Sequence, residues 1–395
     1  MAKRRFALPG IHELSKQQEE AIRLPMEGCH LTVGGPGTGK TVVTLLRLKR
    51  YLQKRENQNS LFLVYNHLLH ETAKQLFGNQ MKSDTWTKWF MRLYTNQMKD
   101  SVPRCGEASG FQPIDWQTVL ERLSEMERLD PPTAFFLFID EGQDMPPQFY
   151  QALIQMGFEN FYVVSDQNQA ITEQNSSRME IEDCLAINRD VVIELNRNYR
   201  NALPVAALAR EFYPGDPATP PIELPEESES TQTPLLIEYG SGCRLDFDDV
   251  IERILKMSDR DPRKLIGIIA PKNLIREKYV EGLIRVSGST EISLDNGKPR
   301  VETYASGKQC DLRFDEGGIF VINAQSCKGL EFDTVIIADI NAFYSNIKIE
   351  DEKKRLFYVM VARAIEKVLM LKEAGKPCPV DSILPKDQSV LKYWR

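Results

Sequence analysis

Eight residues constrain this chain more than any others: Gly34-Gly35-Pro36-Gly37-Thr38-Gly39-Lys40-Thr41, spaced G-x-x-x-x-G-K-T. Glycines without a Cβ let the backbone curl, so that successive N–H groups converge on one phosphate. The apolar run Cys29–Val33 before it suits a buried strand, and Val42–Leu48 after it suits a helix. Strand, glycine loop and helix together are the context a phosphate-binding loop requires, because the helix start adds partial positive charge. Gly35, Gly37, Thr38 and Gly39 are then expected to line the phosphates. Lys40 reaches the β- and γ-phosphates of a nucleoside triphosphate, and Thr41 supplies a hydroxyl to Mg²⁺.

A chain of 395 residues has room for two or three domains with cores of their own. Its net charge of −6 excludes coating nucleic acid by bulk charge but leaves room for a local basic groove. The seven cysteines form no C-x-x-C pair, so neither a metal cage nor a disulfide framework is expected. No apolar run approaches the roughly 18 residues of a membrane span. The basic start Met1–Arg5 lacks the apolar core of a signal peptide, so a cytoplasmic protein is expected.

Apolar strand-like runs alternate with helical periodicity along the chain. Residues 61–65, 135–139, 161–164 and 191–195 read as strands, with helices over 14–24, 67–77 and 116–129. Such alternation implies a parallel, doubly wound sheet. Residues 213–234 carry six prolines among Glu and Ser and read as a linker. The alternation then restarts, with strands at 235–238, 265–270, 319–323, 334–339 and 368–371 and helices at 247–257, 274–286 and 354–364. Residues 287–318 read as loops with a short hairpin. The expected organisation is a first domain over 1–212 with a small insertion around 90–134, the linker 213–234, a second domain over 235–375 and a tail over 376–395, with a ligand between the two units.

Asp140-Glu141-Gly142-Gln143-Asp144 follows the apolar run 135–139. A carboxylate at the C-terminal end of a strand near a phosphate loop can hold Mg²⁺ through water, and a second beside it can polarise the attacking water. Asp140 is assigned to the metal and Glu141 to the water.

The D-E-x-Q-D sequence resembles the metal-binding motif of superfamily 1 helicases of the UvrD/Rep type, and other motifs of that family follow in order. Leu14-Ser15-Lys16-Gln17-Gln18 resembles the glutamine motif, which puts Gln18 at the adenine-reading position. Ser165–Gln169 resembles G-D-x-x-Q, whose last residue, here Gln169, senses the γ-phosphate. Leu195–Arg200 resembles L-x-x-N-Y-R, which implies adenine stacking by Tyr199 and γ-phosphate contact by Arg200. Lys328–Val335 resembles K-G-L-E-F-D-x-V, which implies that Gly329 approaches the γ-phosphate and Glu331 the ribose. Arg355–Ala364 resembles R-L-x-Y-V-A-x-T-R-A, which makes Arg363 the arginine finger. The resemblance implies two tandem RecA-like P-loop NTPase domains with parallel sheets, ATP and Mg²⁺ as cofactors, and an ATPase of the helicase or translocase type. It also implies single-stranded nucleic acid as partner, DNA in preference to RNA. Tyr65 and Asn66, with Thr85 and Trp86 in a T-F-H-like motif, are its nucleic-acid candidates, Trp86 either as a base-stacking ring or as a core aromatic.

The chain departs from the family in several places. Ser165 stands for glycine, Ala362 for threonine and Gln325 for histidine, and no aromatic follows Gln169 where the family stacks a base. Only about 65 residues separate His70 from Phe135 and about 33 separate Val286 from Ile319, too few for the family's large insertions. The primary expectation is a minimal, nucleic-acid-stimulated motor. The alternative is an ATP-driven switch that regulates a partner protein such as a nuclease or a defence effector.

Overall fold

The computed structural model describes residues 13–54, 59–64, 82–106, 112–126, 135–166, 175–213, 222–226, 231–289, 299–303, 317–343 and 350–395. The chain divides into two compact units at Asn196/Arg197, the first running from Ala7 to Asn196 and the second from Arg197 to Arg395.

In the first unit, β1 (Cys29–Gly34), β2 (Ser60–Val64), β3 (Ser83–Thr85), β4 (Phe136–Ile139), β5 (Asn160–Ser165) and β6 (Ile193–Leu195) form one sheet in the order β3-β2-β4-β5-β1-β6. Every neighbouring pair is parallel. A parallel sheet covered on both faces calls for continuous apolar strands. Accordingly Leu61, Leu63, Leu137, Ile139, Phe161 and Val163 pack on one face. Their alternating neighbours Phe62, Val64, Phe136, Phe138, Tyr162 and Val164 pack on the other. The helices are α1 (Lys16–Arg23), α2 (Lys40–Lys54), α3 (Trp86–Met98), α4 (Trp116–Ser124), α5 (Pro147–Gln155) and α6 (Arg178–Cys184). Helix α1 starts with a reciprocal cap, the Ser15 hydroxyl accepting from Gln18 N and the Gln18 amide accepting from Ser15 N. The insertion expected around 90–134 contributes Phe90, Tyr94, Val102, Ile114, Trp116 and Val119 to the main core.

The second unit is built on β7 (Leu235–Tyr239), β8 (Leu265–Ala270), β9 (Val301–Thr303), β10 (Gly318–Asn323), β11 (Phe332–Ile337), β12 (Ala364–Glu373) and β13 (Lys392–Trp394), ordered β13-β7-β12-β11-β8-β10-β9 and again parallel. Its helices are α7 (Leu203–Glu211), α8 (Phe247–Arg260), α9 (Asn273–Ser289) and α10 (Glu350–Val361). One core lies between the sheet and helices α8 and α9, where Ile251, Ile254, Tyr279 and Leu283 meet Ile266, Ile268, Ile319 and Val321. The RecA-like expectation of two parallel-sheet α/β domains holds.

Three sequence expectations change. The boundary lies near residue 196 rather than 213, because α7 packs on α10 and β12, with Phe212 against Phe357 at 5.3 Å between ring centroids. Ala202 N also donates to Ile365 O at 2.7 Å, so the segment before the prolines is already part of the second unit. In the 287–318 stretch, residues 301–303 pair parallel with β10 and, among the described residues, form an added edge strand. The expected tail folds onto the unit: β13 pairs with β7, Leu391 is buried, and the Arg253 guanidinium lies 5.6 Å from the Trp394 ring centroid.

Candidate nucleotide site

The phosphate loop leaves the C-terminal end of β1 and enters α2 at Lys40. Gly34 has no room for a side chain, since a Cβ there would stand 2.9 Å from both Cβ and O of Leu195. Gly37 and Gly39 take φ of 77° and 86°, the left-handed region that side chains disfavour. The Thr38 hydroxyl donates to Gly35 O at 2.8 Å and pins the curl. The Lys40 ammonium lies within the loop, donating to Gly34 O at 2.8 Å and Gly35 O at 2.9 Å and standing 3.6 Å from Asp166 Oδ2.

Strand β4 delivers the acids. Thr41 Oγ1 donates to Asp140 Oδ2 at 2.7 Å, so hydroxyl and carboxylate, far apart in sequence, are adjacent in space. Asp140 and Glu141 are both buried. Burial first, and the neighbouring Glu141 charge second, hold the Asp140 carboxyl above the ordinary carboxylate range. Glu141 itself has φ 55° and ψ 45°. A glutamate held there stores about 1–3 kcal/mol of backbone strain, a pattern that clusters at functional sites. The half-buried Thr41 hydroxyl and the buried Asp140 carboxylate, beside a second buried acid, suit a hard divalent cation, and the glycine curl with Lys40 suits a polyphosphate. The residues present therefore fit a magnesium-bound nucleoside triphosphate.

Sequence reasoning passed over two residues. Gln143 Nε2 donates to Glu141 Oε2 at 2.6 Å, while its Oε1 accepts from Asp166 N at 2.9 Å. Gln143 thus ties the acid on β4 to the end of β5, and Asp166 there faces the loop lysine. Both lie inside motifs already recognised, D-E-x-Q-D and S-D-Q-N-Q, and that position was the signal for them.

Gln18 packs directly against the loop. Its Nε2 donates to Thr38 O at 2.9 Å, and a Cβ on Gly39 would lie 2.5 Å from that nitrogen. Tyr65, Asn66 and Gln169 fall outside the described residues.

The second unit gathers its own group. Arg200 pairs with Glu331, and Gly329 turns with φ 77° two residues before that acid. Asn198 Oδ1 accepts from Arg200 N at 3.0 Å and Asn201 N at 3.1 Å. Asn201 Nδ2 donates to the carbonyls of Ala362 and Ala364, on either side of Arg363. Arg363 is buried, and its Nε donates to Val359 O at 3.1 Å. Arg200, Glu331 and the backbone on either side of Arg363 are thus linked through Asn198 and Asn201. Tyr199 is half exposed, with the Arg197 guanidinium 5.5 Å from its ring centroid.

Trp86 lies in the core, the second of the two readings given for it above. It stacks on Trp116 at 6.4 Å and meets Phe149 edge-on at 5.2 Å, and only 8% of it is exposed. Thr85 precedes it at the N-cap position of α3 without a side-chain cap bond. Trp86→Ala is therefore expected to lower stability by about 3–5 kcal/mol, as large-to-small core changes do. Urea unfolding checks this, and Trp86→Phe should leave nucleic-acid affinity unchanged.

The fold and the loop define a P-loop nucleotide-binding protein. A profile of the AAA domain matches residues 18–175, and one of the UvrD-like helicase C-terminal domain matches residues 318–371. The two matched domains support the resemblance to superfamily 1 helicases of the UvrD/Rep type. No curated protein sequence matches it. Among solved structures, the C-terminal domain of a possible DNA helicase from Lactobacillus plantarum WCFS1 is 18% identical, with 49% of this chain and 98% of that chain covered at a TM-score of 0.33. The PRRSV helicase is 10% identical, with 90% of this chain and 54% of that one covered at a TM-score of 0.38. The chain therefore spans about half the length of that second structure.

Proposed function

We propose that the protein is an ATPase stimulated by single-stranded nucleic acid, a motor built on two RecA-like domains. The observation that carries the reading is the Thr41–Asp140 hydrogen bond of 2.7 Å, which joins the phosphate loop to the acidic strand end. Mg²⁺, when bound there, neutralises charge on the phosphates. Lys40 supplies a second positive charge to the same phosphates. Glu141 orients a water and draws off its proton, with Gln143 fixing the direction of the carboxylate. Arg200 and Arg363 bring positive charge to the oxygens where negative charge develops, and Tyr199 offers a ring face to the base. Because Asn198 and Asn201 link Arg200 to the backbone on either side of Arg363, the two arginines act on the nucleotide together, and their engagement is what links hydrolysis to motion. Single-stranded DNA is the favoured track, and the cytoplasm the expected compartment.

A motor of this kind requires nucleotide and nucleic acid to change each other's affinity reciprocally. Fluorescence anisotropy of a labelled oligodeoxythymidylate is expected to give affinities that differ about fivefold or more between the ADP state and a non-hydrolysable ATP-analogue state. Equal affinities in all nucleotide states, at every salt concentration, would remove the motor reading. The burial of Trp86, together with the missing aromatic after Gln169, favours a second reading. On that reading the nucleotide governs binding to a protein partner such as a nuclease or defence effector, and nucleic acid leaves turnover unchanged.

A further inference from the structure

Arg47 is fully buried on α2, two helical turns beyond Lys40 and on the same face of the helix. A buried guanidinium ordinarily pairs with a carboxylate. Among the described residues none pairs with Arg47. Its Nη1 donates to Ala21 O at 2.8 Å, Ile22 O at 3.2 Å and Leu24 O at 3.0 Å, and its Nη2 to Pro25 O at 2.8 Å. The Tyr162 ring lies 4.4 Å from the guanidinium carbon. Burial lowers the arginine's pKa to about 10, which still leaves it charged at neutral pH.

Those carbonyls are the last of α1 and the turn after it. The end of a helix leaves unsatisfied carbonyls and a partial negative charge, so a fork of N–H donors serves there both as hydrogen-bonding cap and as counter-charge. The opposite end of the same short helix carries Gln18, whose amide donates to Thr38 O in the phosphate loop. Helix α1 is thus clamped at one end by the helix that follows the loop, and at the other it touches the loop itself.

We propose that Arg47 is a positioning residue for the nucleotide site: it fixes the C-terminal end of α1 to α2, so that Gln18 keeps its bond to the phosphate-loop carbonyl. The inference rests on the reading above that this loop holds ATP. Lysine in its place keeps the charge but, as a point donor, cannot bridge four carbonyls. An apolar side chain keeps neither. On this proposal the energy involved reaches the nucleotide through Gln18, so the two residues should behave as one device.

The test is a double-mutant cycle on the full chain with Arg47→Lys, Gln18→Ala and the double variant, reading Mg·ATP affinity by equilibrium binding together with kcat and KM. Each single change is expected to weaken ATP binding and raise KM about tenfold with kcat within about twofold, and the double variant to be no worse than Gln18→Ala alone. A purely structural arginine would lower the melting temperature with KM unchanged, and independent residues would multiply their effects; either outcome overturns the proposal. Native-state hydrogen exchange on the wild type gives a second readout in case Arg47→Lys does not fold. The amides of α1 are expected to gain protection when ATP is added, and unchanged protection overturns the coupling. Should the wild type bind and hydrolyse ATP while Arg47→Lys matches it, only this inference falls. Should the wild type bind no nucleotide, the functional reading falls with it.

Discussion

Lys40→Ala is expected to abolish measurable ATP turnover, with a loss of about a thousandfold or more in kcat/KM. Removing a single aimed donor costs about 10²–10³ in related sites, and Lys40 supplies a full charge as well as donors. Its ammonium is already directed inward, 2.8 Å and 2.9 Å from two loop carbonyls and 3.6 Å from the Asp166 carboxylate. Alanine therefore removes a buried cation that faces an acid, and some loss of thermal stability should accompany the loss of activity. A melting curve separates the two effects. A folded Lys40→Ala protein that turns over ATP at the wild-type rate would reject the whole site assignment.

Arg363→Ala is the second large effect expected, a fall of about 10³ in kcat, the lower end of what an arginine finger supplies. Nucleotide affinity should change far less, because the phosphate loop and Gln18 belong to the first unit. Arg363 is buried, and Asn201 bonds the carbonyls on both sides of it. The backbone around it is therefore held by bonds that do not involve the guanidinium, which makes a folded variant attainable. Arg363→Lys should recover only a small part of the rate, since an ammonium cannot form the planar bidentate contact. Single-turnover kinetics at saturating ATP measure both variants. A variant whose kcat is intact but whose KM is raised would reassign Arg363 to ground-state binding.

The parts of this molecule that could be read in the sequence are those where one physical requirement acts over a short stretch. A parallel sheet with both faces covered needs unbroken apolar strands, and Phe136–Ile139 and Leu265–Ala270 announce themselves that way. The phosphate loop is equally local: its glycines occupy the left-handed conformations that the motif implies. The place of Asp140, at a strand end beside that loop, was legible because the apolar run before it announces the strand. What escaped depends on contacts between distant segments. Proline content placed a linker at 213–234, yet Asn201 and Ala202 already bond to residues 362–365. Trp86 sits in a motif position where a base-stacking ring was conceivable, but Trp116 and Phe149 occupy its faces. Residues 392–394 carry too short a pattern to be read as a strand, and they become one because β7 offers an open edge. Gln143 is a polar residue in a turn until β5 brings Asp166 to it.

The central claim is that the site defined by Lys40, Thr41, Asp140 and Glu141 hydrolyses ATP in response to nucleic acid. Steady-state ATP hydrolysis by the full chain, with Mg²⁺ and in the presence of single-stranded DNA, single-stranded RNA, duplex or no nucleic acid, tests it most directly. The account predicts a rate that rises saturably with single-stranded DNA, falls as salt screens the phosphate contacts, and vanishes in Lys40→Ala. A rate that no nucleic acid alters at any salt concentration would contradict it.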